Sequence, residues 1–290
     1  MKMLIKRNLL LFFRDRANVF FSMLAVIIAI VLYILFLADL MVGAVAGGMT
    51  DATPEQVRLI ISGMILSGTI AMATISSCLN ATARIVIDRD DVAKDFFVSP
   101  ISRTKLMFGY VISSGMIGFI MSGIALVTTI IYLSISGGAL PSLADLGLLL
   151  LTLILSVSSA NSMMFLIASL VKSRNAFGSL GSLVGTLIGF LTGVYIPIGQ
   201  LPNGVSWLVR LFPTSHAASM FRQILAGNAL YDLRAPAEFV NEINTFFGVT
   251  FDFGAFTTTF LFSAIFLLGS SVVFYIVGLF LVKKVNLIQG

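Results

Sequence analysis

Residues 59–105 read LIISGMILSGTIAMATISSCLNATARIVIDRDDVAKDFFVSPISRTK. The first 25 of them, 59–83, carry no charge, and the last 18, 88–105, hold the densest run of charge in the chain. A helix rises about 1.5 Å per residue, so roughly 20 apolar residues cross a hydrocarbon core of about 30 Å. The apolar part therefore predicts a membrane span. The charged part predicts a structured segment lying on one membrane face.

Five further uncharged stretches flank this one, at 17–38, 106–133, 146–171, 175–197 and 256–282. Each is long enough to cross with some tilt. The composition agrees: 58% of the 290 residues are hydrophobic, 11% are charged, and the mean hydropathy of +1.04 lies far above that of soluble domains. The predicted fold class is an all-α membrane protein with six transmembrane helices, read as a single domain over 1–290. An interfacial helix precedes the first span, a surface helix joins spans two and three, and short outer helices, re-entrant or not, join spans five and six.

Basic residues set the orientation. Fourteen of the 18 Lys and Arg fall on one side, from Lys2, Lys6 and Arg7 through the charged segment to Lys283 and Lys284, and Arg58, Arg210, Arg222 and Arg234 fall on the other. The positive-inside rule then puts both termini and the charged segment in the cytoplasm. The stretch 17–38 exceeds the usual apolar core of a secretory signal, and five spans follow it, which argues against cleavage near Ala44-Val-Ala46. Residues 1–13 read instead as an amphipathic interfacial helix, with Ile5, Leu9, Phe12 and Phe13 toward lipid and Lys2, Lys6 and Arg7 toward headgroups.

Several function classes find no support. Cys78 and His216 are the single cysteine and single histidine, so neither a disulfide framework nor a metal cluster is encoded, and no catalytic residue is assigned. No G-x-x-x-x-G-K-[ST] loop is present to cradle a nucleotide. Basic residues flank the spans rather than forming a stripe, which argues against nucleic acid. The spans carry no carboxylate or histidine to couple an ion gradient; their polar content is hydroxyl and amide. Most such groups bond back to their own helix or join helices. The alternative is a translocation path lined by Ser67, Thr74, Ser77, Asn80, Ser156 and Ser159.

In the charged segment Asp88, Asp91 and Asp95 share one helical face and Val92 and Phe96 another. Ser99-Pro100 stops that helix, and Ser102 is placed to cap the next. The expected result is a rigid corner through which a partner gripping Phe96 and Phe97 would pull on spans two and three.

The stretch Asp-Phe-Phe-Val-Ser-Pro-Ile-Ser-Arg-Thr-Lys-Leu-Met-Phe-Gly, 95–109, resembles the cytoplasmic segment of ABC-2 type transporter permeases, the membrane subunits of many bacterial ABC exporters. Tyr195-Ile-Pro-Ile-Gly-Gln-Leu-Pro-Asn-Gly-Val-Ser-Trp207, then Leu211-Phe-Pro-Thr-Ser and Phe221-Arg-Gln-Ile-Leu-Ala-Gly227, resemble that family's outer segment after the fifth span. Family members often carry Glu-x-Gly-Thr where Asp91-Val-Ala-Lys stands here.

The resemblance implies a coupling helix at 88–99 that docks on an ABC ATPase, with Asp88, Asp91, Lys94, Asp95, Phe96, Phe97, Ser99, Pro100 and Arg103 at the contact. It implies two ATPase copies that bind ATP and Mg, a second permease chain, identical or related, and a bacterial cytoplasmic membrane as the setting. No cofactor is expected in this chain itself. Outside, it implies a gate around Pro197, Pro202, Pro213 and Arg222, with Trp207 anchored at the interface.

Gly181, Gly185, Gly189 and Gly193 recur every fourth residue, a stripe that predicts close helix approach, either within the chain or at a dimer interface. The expected activity is export of an amphipathic drug, antimicrobial peptide or lipid-like molecule. A polysaccharide or lipid-linked glycan exporter and an ATP-independent channel are the alternatives.

Overall fold

A computed structural model of the protein describes residues 1–45, 53–91, 103–171, 173–232 and 237–284. Among these residues the chain is helical throughout, apart from short turns and one isolated antiparallel bridge between Asp252 and Thr257. Helix α1 (Lys2–Arg14) ends at Asp15, whose extended backbone turns the chain and whose carboxylate accepts from the Asn18 amide at 3.0 Å to cap α2 (Arg16–Leu32). A π-helical turn, Tyr33–Leu37, joins α2 to α3 (Ala38–Val45). It aims Tyr33 inward, where the phenol pairs with Ser62 Oγ at 2.6 Å.

Then follow α4 (Pro54–Asp91), α5 (Arg103–Ile135), α6 (Leu143–Leu170) and α7 (Arg174–Leu191). Four short helices come next: α8 (Asn203–Leu211), α9 (Pro213–Leu225), α10 (Gly227–Asp232) and α11 (Ala237–Phe247). Helix α12 (Phe260–Lys284) closes the fold.

Among the described residues five stretches are long and apolar enough to cross a membrane: Arg16–Gly43, Pro54–Arg89, Lys105–Ile135, Leu143–Leu170 and Phe260–Val282. The most apolar window of α4 is 94% buried, against 22% for the first span and 17% for the last. Helix α4 is therefore the hub, packed by α2, α5, α6, α7 and α9, while the outer helices turn apolar faces toward lipid. Small residues permit the close packing. A Cβ at Gly118 of α5 would lie 2.5 Å from Cys78 Sγ, so the buried thiol of α4 occupies the space that a side chain would need.

Three expectations are corrected. The stretch 175–197 is not one helix: α7 has 18 residues, about 27 Å of rise, and stops at Leu191 because Gly193 takes φ +65° and turns the chain. The last span begins at Phe260 rather than 256, since the Phe253 amide first donates to the Phe256 carbonyl at 3.0 Å beside the Asp252–Thr257 bridge. In α1, Phe12 points away from lipid and is buried among Ala81, Ile117 and Met121, while Phe13 stays exposed as expected. Leu4 of α1 and Leu279 and Val282 of α12 pack against one buried cluster formed by Ile85, Leu106, Met107, Tyr110 and Phe165, which puts the beginning and end of the described chain at one end of the bundle.

Candidate functional site

At that end, α4 carries Asp88 into a closed polar cluster. The carboxylate is 2% exposed, and its Oδ2 accepts from Arg7 Nη1 at 2.7 Å and from the Tyr110 hydroxyl at 2.6 Å. Arg84, one turn earlier on α4, brings Nη2 to 2.7 Å from Oδ1. A buried carboxylate is tolerated only when paired and hydrogen-bonded, and here α1, α4 and α5 each supply a partner. The hydrogen bond to Asp88 raises the Arg7 pKa above its ordinary value, against the opposing effect of burial. One residue on, Asn8 donates to Ser113 Oγ of α5 at 3.0 Å. On the other side of α4, Arg89 donates to the Val171 carbonyl at 2.8 Å, and Arg174 to the Ile87 carbonyl at 3.2 Å. The last turn of α4 is thus held by α1, by α5 and by the turn between α6 and α7.

A second polar cluster lies deeper. Asn161 of α6 accepts from Ser114 of α5 at 2.6 Å and donates to the Val111 carbonyl and the Tyr275 hydroxyl, each at 2.9 Å, so one amide ties α5, α6 and α12.

At the opposite end, α9 is inserted between α4, α6 and α12 with residues 213–222 all buried. Pro213 occupies the first turn, where a missing N–H costs nothing. Arg222, fully buried, donates Nε to the Met64 carbonyl at 2.9 Å, Nη1 to the Gly248 carbonyl at 3.4 Å and Nη2 to the Thr192 carbonyl. Among the described residues no carboxylate pairs with it; backbone dipoles of three separate segments satisfy the charge instead. Glycine makes this possible, for a Cβ at Gly68 would lie 2.6 Å from Val194 Cγ2, 2.9 Å from the Thr192 carbonyl oxygen and 3.1 Å from Arg222 Nη2. His216, also buried, meets Ser263 Oγ through Nδ1 at 3.2 Å and the Arg210 carbonyl through Nε2 at 2.8 Å, inside a ring of Phe251, Phe262 and Phe266. Outside this plug the exposed face of α8 presents Trp207, with the Arg210 guanidinium 5.4 Å from its ring centre.

The two ends of the bundle are built differently. One is a cluster of opposite charges that joins an amphipathic helix to two spans, and the other is a buried plug helix pinned by one arginine. Sequence comparison supplies the remaining observation: a model of the ABC-2 type transporter family matches residues 1–226. The chain belongs to the ABC-2 type transporter family. The match runs from before α1 to one residue past α9, and so takes in both clusters. A search of curated protein sequences returned no match. Membership makes the chain a multi-pass ABC transporter permease, a membrane subunit of a kind that works with an ABC ATPase.

The ABC-2 permease places the sequence-predicted residues as follows. Lys94, Asp95, Phe96, Phe97, Ser99 and Pro100 lie outside the described residues, while Asp91 and Arg103 mark the helix ends on either side of them. Asp88 is not on a solvated docking face. It is consumed by Arg7, Arg84 and Tyr110, and Arg7 accordingly directs its guanidinium to Asp88 while part of its side chain stays exposed.

The expected translocation hydroxyls are mostly inside one chain. Ser67 donates to the Gly63 carbonyl at 2.6 Å, Thr74 pairs with Ser156 at 3.0 Å, and Ser159 pairs with Ser270 at 3.0 Å, seams that join α4 to α6 and α6 to α12. Ser77 is buried without a hydrogen-bond partner among the described residues. Asn80 borders a cavity of about 200 Å³ beside Asn8 and Arg84, and donates to the Ser76 carbonyl at 3.0 Å.

The glycine stripe divides. Gly193 has left the helix, Gly189 is covered by the Tyr195 ring, Gly181 touches Leu79, and Gly185 has nothing within 4 Å of where its Cβ would be. Of the expected gate residues, Pro197 and Pro213 are buried, Pro202 is exposed before α8, and Arg222 holds the plug.

Sequence reading passed over Arg84, Tyr110 and the inward side of Arg7. The four-residue spacing of Arg84 and Asp88 was the one signal on the page that could have exposed the cluster.

Proposed function

We propose that this permease is the membrane subunit of a bacterial ABC exporter, and that a separate ATPase moves it through the segment 92–102. The observation that carries this reading is the Asp88 cluster, which sits one turn before that segment and joins α1, α4 and α5. Force applied beyond Asp91 meets a braced helix end, so the whole of α4, the hub of the bundle, moves with it. Two ATPase copies bind ATP and Mg, the cytoplasm holds both termini, and the cargo is an amphipathic drug, antimicrobial peptide or lipid-like molecule. Two permease chains form the pathway. Support for the pairing comes from α7, where Ser179, Ser182 and Thr186 are exposed, their hydroxyls bonded back to their own helix, beside the open Gly185.

Co-expression with its ATPase is expected to yield a complex with vanadate-sensitive hydrolysis and ATP-dependent flux in proteoliposomes. Joint replacement Phe96→Asp and Phe97→Asp is expected to abolish assembly. Flux through the permease alone, without ATPase or nucleotide, would establish a facilitator instead, and intact assembly of the double variant would refute the docking role.

A further inference from the structure

The end of the bundle opposite the Asp88 cluster holds a cavity of about 320 Å³ between α4, α5, α6 and α9. This is within the low end of the roughly 300–1,000 Å³ typical of small-molecule pockets. Its body is apolar, formed by Leu59 of α4, Ile130 and Leu133 of α5, and Ile224 and Leu225 of α9. Its rim is polar. The α5–α6 turn closes over it at Gly137 and Gly138; Gly137 takes φ +93°, and a Cβ at Gly138 would lie 2.9 Å from the Leu133 carbonyl oxygen and 3.1 Å from Leu59 Cδ1. The turn can lie this low only with glycine at both places.

Among the described residues of the lining, Asp145, in the first turn of α6, is the one that carries a charge. Its two bonds from Ser142, 3.1 Å from the amide and 2.8 Å from the hydroxyl, both fall on Oδ2. Oδ1 makes no hydrogen bond among the described residues and keeps its full capacity to accept. Among the described residues the lining joins apolar walls to one carboxylate and no cation, which favours a ligand of positive charge.

We propose that this cavity is a binding site for a small organic cation: an ammonium group at Asp145, carried on a short aryl or alkyl body that fills the space between Leu59, Leu133 and Leu225. The body would contact the last turn of α9 where that helix closely approaches α4, since a Cβ at Gly63 would lie 3.0 Å from Ala226 Cβ and 3.2 Å from the Leu225 carbonyl oxygen. The occupant therefore touches the end of the plug that Arg222 holds. This inference stands on the cavity itself and is independent of how transport is driven.

The test uses the full chain in nanodiscs of zwitterionic lipid, with empty nanodiscs subtracted, and ligand-observed NMR titration of 4-phenylbutylamine, 4-phenylbutanol and 4-phenylbutyrate. The amine is expected to bind at least about tenfold tighter than the alcohol, a difference of about 1.4 kcal/mol, and the carboxylate weakest of the three. Asp145→Asn is expected to bring the amine down to the level of the alcohol while leaving the alcohol unchanged. Leu133→Trp, and separately Ile130→Trp, fill the cavity without touching the Ser142–Asp145 cap and are expected to remove binding of both. Equal affinity for amine and alcohol in the unmodified protein, or amine binding that survives both tryptophan variants, would overturn the proposal.

Discussion

Replacing Asp88 by asparagine keeps the shape of the side chain and removes its charge, which isolates what the cluster contributes. In the structure the carboxylate accepts from Arg7 at 2.7 Å and from Tyr110 at 2.6 Å, and has Arg84 at 2.7 Å. Hydrogen bonds to a charged group contribute about 1.5–3 kcal/mol each. Arg7 and Arg84 keep 34% and 32% of their side-chain surface in contact with solvent, so part of their charge is rehydrated once Asp88 is neutral. The expected cost is about 2–4 kcal/mol, below the sum of the bonds lost.

Unfolding by SDS in mixed micelles measures that cost. A double-mutant cycle of Asp88→Asn with Arg7→Ala is expected to give a coupling of about 1–3 kcal/mol. Trypsin supplies a local readout, because Arg14 and Arg16 flank the break between α1 and α2, and loosening α1 should speed cleavage there. An Asp88→Asn protein within about 0.5 kcal/mol of the parent, additive with Arg7→Ala and cut at the parent rate, would refute the claim that Asp88 fastens α1 to the hub.

Other substitutions test the opposite end and the lipid face. Gly68→Ala drives a methyl group into Val194 and the Thr192 carbonyl; a loss of about 1–3 kcal/mol is expected in the same unfolding assay. Arg222→Lys keeps the charge but cannot reach the Met64, Gly248 and Thr192 carbonyls together, so stability should fall by about 2–4 kcal/mol rather than be preserved. Gly185→Leu faces open space in the single chain. It should leave monomer stability unchanged while weakening self-association, as read by energy transfer between labelled copies in liposomes.

Length and hydropathy made most of the bundle legible, because a run of more than 20 uncharged residues has few other uses. Where the reading went astray, a local feature overrode the pattern. Apolar character continues past Leu191, but the backbone turns at Gly193, and composition does not report φ. Phe256 is as apolar as Phe260, but only the second lies in a helix. The fourfold glycine spacing was real in the sequence and broken in space, since its last member lies beyond the helix end. Asp88 read as a surface charge because acids near a membrane face usually are. Its burial depends on Arg7, some 80 residues away, and a contact at that separation leaves no periodic trace. The fixing of Arg222 by carbonyls was equally hidden, since backbone acceptors have no sequence signature.

Cys78 turns these features to practical use. As the only thiol in the chain, buried on α4 against Gly118 of α5, it is shielded from water-borne maleimides in the folded protein. Spectroscopic labels can therefore be attached at engineered cysteines on α1, α7 or the α5–α6 turn in the unaltered background. Delayed labelling of Cys78 itself then provides an internal clock for the moment at which the hub comes apart.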